Sequence, residues 1–101
     1  MSSPNQALRK VAELYRQDGY VRGPVPDRLL QDGWRAYKKG WELRISLPDE
    51  QAVIGLRRAI DQAGLRLARF YPKHGRLIQP IYGRDQVLRV LRAAGEDVQG
   101  L

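Results

Sequence analysis

The sequence predicts an α+β fold in which a four-stranded antiparallel sheet carries helices on one face. Three observations indicate this fold. Three segments repeat apolar residues at helical spacing, one segment strictly alternates apolar and polar residues, and turn-forming residues separate these segments. At 101 residues the chain has the size of one domain, which we place at residues 1–101. The predicted order of elements is αββαββα.

The first helix is predicted over residues 4–18. It begins with a capping box in which Ser3 is the N-cap residue and Gln6 reaches back to it. We expect Asp18-Gly19 to end the helix, because glycine tolerates the left-handed conformation that helix ends often need. The apolar stripe of this helix consists of Leu8, Val11, Ala12 and Tyr15.

A loop and a ββα unit are predicted next. Residues 20–33 are expected to form an ordered loop, because Gly23-Pro24-Val25-Pro26 interrupts any strand ladder. The unit covers residues 34–64 and opens with a hairpin of residues 34–38 and 41–47. The second arm alternates apolar and polar residues, which is typical of a strand with one buried face.

A second ββα unit is predicted over residues 65–95. Its hairpin would join residues 65–71 and 76–82 through a turn at 72–75. Pro80 has no backbone N–H to donate, so we expect this arm, or at least this position, to lie at a sheet edge.

Capping residues delimit the helices that close both units. Asp49 and Gly64 should bound the second helix, and Asp85 and Gly95 should bound the third. The predicted apolar stripes are Val53, Leu56, Ile60 and Ala63 in the second helix and Val87, Val90, Leu91 and Ala94 in the third. Arg57-Arg58 lies opposite the apolar stripe of the second helix, which predicts a solvated face.

The charge balance predicts an anionic partner. The sequence contains eighteen basic and eleven acidic residues, which gives a net charge of +7, and fourteen of the basic residues are arginine. The absence of cysteine excludes disulfides and thiolate metal sites, and the single histidine excludes histidine-cluster sites. No apolar stretch is long enough for a membrane span or a secretory signal, so a cytoplasmic location is expected.

The polar face of the predicted sheet is the candidate binding surface. Arginine suits this role because its planar fork matches phosphate groups and guanine edges. The predicted DNA-binding residues are Arg35, Lys38, Arg44, Arg66, Lys73 and Arg76.

The segment from Val11 to Tyr20, VAELYRQDGY, resembles the signature helix of the LAGLIDADG homing endonucleases. That family has the αββαββα order, and its saddle-shaped sheet lies in the DNA major groove. Its signature helices pack in pairs along a two-fold axis. The resemblance implies that Asp18 would be the catalytic carboxylate and would bind Mg²⁺. Because each chain has one such aspartate, a complete site would need a homodimer.

Two departures from the signature favour binding without cleavage. Glu13 stands where the family has a glycine that lets the two helices approach, and Arg16 replaces the first aspartate. The sequence therefore predicts a protein that binds double-stranded DNA without cutting it. Two alternatives stay open. One is an Mg²⁺-dependent endonuclease, and the other is a small basic protein that docks on an acidic protein partner.

Overall fold

The structure, a computed structural model, describes residues 3–22 and 40–98. Within these ranges three helices and four strands follow each other in the order αββαββα, which confirms the predicted α+β class. The helices are α1 (Pro4–Asp18), α2 (Glu50–Gln62) and α3 (Arg84–Ala93). The strands are β1 (Gly19–Arg22), β2 (Glu42–Leu47), β3 (Tyr71–Lys73) and β4 (Arg76–Tyr82).

The strands form one antiparallel sheet in the order β1-β2-β4-β3. Arg44 in the centre of β2 lies opposite Tyr20 of β1 on one side and Pro80 of β4 on the other. Further along β4, Ile78 lies opposite Tyr71 of β3. Alternate residues of a strand point to the same side, so this register collects side chains from all four strands on one face.

The helices all pack on the other face of the sheet. Leu43, Ile45 and Ile81 of the central strands are fully buried there against the helices. The predicted apolar stripes of α2 and α3 are confirmed, because every residue in them is buried. The buried stripe residues are Val53, Leu56, Ile60, Ala63, Val87, Val90, Leu91 and Ala94.

Helix α1 has the predicted bounds, but it ends for a different reason. The capping box is present, and Gly19 follows the helix. Gly19 has an extended backbone with φ of −120°, so the expected left-handed stop is wrong. A Cβ at this position would lie 2.6 Å from both Cδ1 and the carbonyl oxygen of Tyr15. Glycine is therefore required here because the chain passes close to the helix it has just left.

The predicted loop at residues 20–33 is wrong at its start. Gly19–Arg22 forms strand β1, which pairs with β2 through registers such as Val21 opposite Leu43. The strand was missed because four residues are too few to show alternation before Gly23-Pro24. The predicted first hairpin arm, residues 34–38, lies outside the described residues.

The second hairpin is shorter than predicted. Only Tyr71–Lys73 forms the first arm, while the chain from residue 65 to residue 70 is not a strand. Side chains satisfy backbone groups there instead. The carbonyl oxygen of Ala68 accepts hydrogen bonds from Arg57 and Gln79 at 2.6 and 2.8 Å. Arg57 is half-buried and bonded in this way, so the prediction of a solvated side chain is wrong for it.

The hairpin turn is also tighter than predicted. It consists of His74 and Gly75, with φ of 52° and 78°, rather than residues 72–75. Positive φ at both positions is the pattern of the type I′ turn, whose twist matches that of the flanking strands.

Two further expectations change in the last unit. Strand β4 is interior, so the expectation that this arm lies at a sheet edge is wrong. Its ladder with β3 stops at Ile78, however, and Pro80 lies beyond it in the part of β4 that has no β3 partner. Helix α3 begins after Gly83, which has no side-chain cap. Asp85 therefore lies in the first turn and is not the cap that the sequence predicts.

Candidate nucleic-acid interface

The open face is our name for the side of the sheet that points away from the helices. Strand alternation and register define it, because the neighbouring residues Leu43, Ile45 and Ile81 point into the core. Its residues are Tyr20, Arg22, Glu42, Arg44, Ser46, Tyr71, Lys73, Arg76, Ile78, Pro80 and Tyr82.

The open face is cationic. Among the described residues of its strands it carries the four cations Arg22, Arg44, Lys73 and Arg76 and one carboxylate, Glu42, and a second carboxylate, Asp18, reaches its margin from the end of α1. Cations collected on one face attract the phosphate backbone of nucleic acid at long range.

At the centre of the open face, Arg44 is held by Glu42 from the same strand. Residues two apart on a strand point the same way, so the two side chains meet. Arg44 donates from Nε to one carboxylate oxygen at 2.7 Å and from a terminal nitrogen to the other at 3.1 Å. Only 15% of the Arg44 side chain and 13% of the Glu42 side chain are exposed. The hydrogen bonds with Glu42 raise the pKa of Arg44 above its ordinary value, so the guanidinium stays charged.

Two tyrosines flank the guanidinium of Arg44. Its central carbon lies 5.9 Å from the ring centres of both Tyr20 and Tyr71, within cation–π range. Arg44 also donates to the Tyr20 hydroxyl at 3.2 Å, and this bond lowers the pKa of Tyr20. Burial raises the pKa of Tyr71. Arg44 is thus fixed by a carboxylate, a hydroxyl and two rings.

At the margin of the open face, Asp18 and Arg76 form a second ion pair. Arg76 donates to Asp18 at 3.1 Å and to the Ser46 hydroxyl at 2.6 Å. The Asp18 side chain is 61% exposed and that of Arg76 is 42% exposed. The structure thus brings together the predicted metal ligand and a predicted DNA contact. No group of three or more residues suited to metal binding occurs among the described residues.

The remaining predicted contacts are scattered. Lys73 lies on the open face at the end of β3 and is exposed. Arg66 is not on the open face, because residues 65–70 are not a strand. Its backbone N–H donates to Gln86 of α3, and its guanidinium lies near Gly83. Arg35 and Lys38 lie outside the described residues.

Sequence reasoning missed the aromatic side chains of the open face. Tyr20 and Tyr82 are 41% and 46% exposed, and Tyr71 is half-buried beside Arg44. It also missed Arg22, because the strand that carries this residue was predicted to be a loop. These residues share the open face only because of how the four strands pair. No local sequence pattern predicts that pairing.

Comparisons with protein-family models, curated proteins and solved structures find no match to this chain. Among the described residues, no helix combines the length and the apolar character that a membrane crossing requires.

Proposed function

We propose that this protein binds double-stranded DNA through the open face of its sheet and does not cleave it. The observation that carries the proposal is the gathering of four cations from four strands on the face that points away from the helices. A two-stranded ribbon or a small sheet fits the major groove of a duplex, where base edges are accessible. The net charge of +7 favours the same class of partner.

The observed element order supports a fold similar to that of the LAGLIDADG homing endonucleases. Helix α1 ends at Asp18 and leads directly into strand β1, so the signature-like segment spans a helix–strand junction. Under this proposal α1 supplies the junction and β1 to β4 supply the DNA-binding surface.

The ion pair at Asp18 supports binding without cleavage. Arg76 places a positive charge 3.1 Å from the carboxylate that the resemblance assigns to the metal, so a metal cation at Asp18 would have to displace or tolerate it. Glu13 is exposed on α1, so packing this helix against a second copy would bring two carboxylates together. Like charges in a desolvated interface are costly unless they are protonated or paired.

Selection from a random duplex library tests the proposal. The protein is mixed with the library at near-physiological salt with Mg²⁺, and both retained and cut molecules are sequenced. We expect one enriched site among intact molecules, and a palindromic site would in addition indicate a dimer. Lys73→Ala should weaken binding to all duplexes alike and reduce the salt slope by about one. Arg58→Ala is the matched control, because it removes the same charge from the helix layer.

The other outcomes separate the alternatives. The exposure of Asp18 favours the endonuclease as the second candidate, and enrichment among cut molecules that Asp18→Asn abolishes would establish it. No enrichment in either fraction would contradict the proposal. A basic protein that docks on an acidic partner would then be the better explanation.

A further inference from the structure

Arg44 has donors to spare after its contacts within the chain. A guanidinium has five N–H donors. Among the described residues, three of them are engaged, two by Glu42 and one by the Tyr20 hydroxyl. Counted over these partners alone, one N–H on each terminal nitrogen is left for a ligand. When the Tyr20 hydroxyl accepts from the Nη1 hydrogen on the Cδ side, the two remaining N–H groups lie side by side and match a pair of adjacent acceptors.

Glu42 determines which acceptors fit best. A phosphate placed against Arg44 would lie close to the Glu42 carboxylate, and the two negative charges would repel each other. A neutral acceptor pair avoids this repulsion. In the major groove only guanine offers two acceptors side by side, O6 and N7, whereas adenine and cytosine each present an amino donor.

We propose that Arg44 reads a guanine in the major groove and that Glu42 is the positioning residue that holds it for this task. The inference rests on the proposed function, because it names the base that the open face recognises. The rings of Tyr20 and Tyr71, each 5.9 Å from the guanidinium, limit its movement further. A side chain fixed before binding loses little conformational entropy when the base arrives.

The test uses the duplex that the wild-type protein selects from the random library. Its consensus should contain a guanine whose preference disappears in Arg44→Lys, which keeps the charge but loses the planar fork. Replacing this guanine by another base should weaken wild-type binding roughly 5- to 150-fold. The same replacement should have little effect on Arg44→Lys. Lys73→Ala is the control on the same face, and it should keep the guanine preference.

A base analogue and a charge variant distinguish reading from folding. A duplex with 7-deazaguanine at the position lacks the N7 acceptor but still pairs, so wild-type binding should weaken while binding by Arg44→Lys stays unchanged. Glu42→Gln should lower the preference for guanine severalfold without lowering affinity for unrelated duplexes, since it removes a negative charge. Circular dichroism of each variant confirms that it is folded.

Two results would overturn the inference in different ways. A wild-type consensus whose every position survives Arg44→Lys, or indifference to 7-deazaguanine, would reject Arg44 as a guanine reader and leave DNA binding intact. Failure of the wild-type protein to select any duplex would reject the proposed function and this inference together.

Discussion

On the open face, Arg44 pairs with Glu42 at 2.7 Å and Arg76 pairs with Asp18 at 3.1 Å. The first pair lies at the centre, with exposed fractions of 15% and 13%, between the rings of two tyrosines. The second lies at the margin, with exposed fractions of 42% and 61%. The attraction between charges weakens as water surrounds them, so the same chemistry has different consequences at the two places.

One cationic face can therefore contain both a fixed arginine and an exchangeable one. Separating the central pair would leave a largely buried charge without its partner, so Arg44 keeps Glu42 when a ligand arrives. Separating the marginal pair costs little, because water replaces Asp18 at once. Under the proposed function, Arg76 would therefore exchange Asp18 for a phosphate, whereas Arg44 would add a ligand without leaving Glu42.

Breaking the central pair should destabilise the protein most. Glu42→Ala should lower the free energy of unfolding by about 2 kcal/mol, because a half-buried guanidinium loses two hydrogen bonds. Urea unfolding monitored by circular dichroism measures the change.

Two further variants calibrate this result. Glu42→Gln keeps one acceptor and should cost less than Glu42→Ala. In the double variant with Arg44→Ala, the two losses should not add, because the variants share one interaction. If Glu42→Ala were as stable as the wild-type protein, the central pair would be no stronger than an ordinary surface pair.

Local sequence patterns predicted most of the fold. They missed the features that depend on residues far apart in the sequence. The capping box at Ser3, the alternation of β2 and the apolar stripes of α2 and α3 depend on residues near each other in sequence. Strand β1 depends on pairing with β2 from Val21 to Leu43, and the pattern of four residues is too short to reveal it. The six residues before β3 resemble a strand, but Arg57 and Gln79 bind the backbone there instead.

The candidate site was harder to predict than the fold because it is assembled across strands. Arg44 was predicted from the alternation of its strand and Arg76 from the second predicted hairpin, and both lie on the open face. Their partners could not be inferred in the same way. Asp18 is far from Arg76 in sequence, and Tyr20 and Tyr71 approach Arg44 only through the sheet register. Pairing between distant segments determines which charged side chains meet, and a single sequence does not reveal that pairing.

An intermediate effect on stability is expected at Tyr15, whose partner is a carboxylate. It is compared with Tyr20, whose partner is a guanidinium. Tyr20 accepts a hydrogen bond from Arg44 of the central pair, whereas Tyr15, on the helix side, donates to Glu96 at 3.0 Å. Burial and Glu96 raise the pKa of Tyr15 from 10.0 to about 12. Tyr15→Phe should lower the free energy of unfolding at neutral pH by about 1 kcal/mol through the lost hydrogen bond.

The pH dependence of the two tyrosines should have opposite signs. Between pH 10 and about 12 folded Tyr15 holds a proton that the unfolded chain has lost, so its contribution to stability falls as pH rises. The pKa of Tyr20 is lowered, so its contribution rises as pH approaches 10.0. Urea unfolding of Tyr15→Phe and Tyr20→Phe, measured from below pH 10 up to about pH 12, should remove the falling trend above pH 10 in the first variant and the rising trend below pH 10 in the second. If the free energy of unfolding of both variants depended on pH in the same way, the pKa values of Tyr15 and Tyr20 would not be shifted in opposite directions.

The smallest effect on stability is expected from Asp18→Asn, which breaks the marginal pair. The free energy of unfolding should change by no more than about 0.5 kcal/mol, and raising the salt concentration should erase the difference because the pair is exposed. Thermal unfolding at low and high salt measures it. A large, salt-independent loss would mean that Asp18 has a structural role that its exposure does not indicate.

Asp18→Asn and Glu42→Gln are matched in charge, since each removes one carboxylate from the same side of the sheet. If net charge alone governed binding, both would raise affinity for every duplex equally and steepen the salt slope alike. The structure predicts a different result. Asp18→Asn releases Arg76 and should strengthen binding to all sequences, whereas Glu42→Gln loosens Arg44 and should mainly change which sequence is preferred. Identical effects of the two variants on a selected and an unrelated duplex would show that the centre and the margin of the open face are equivalent.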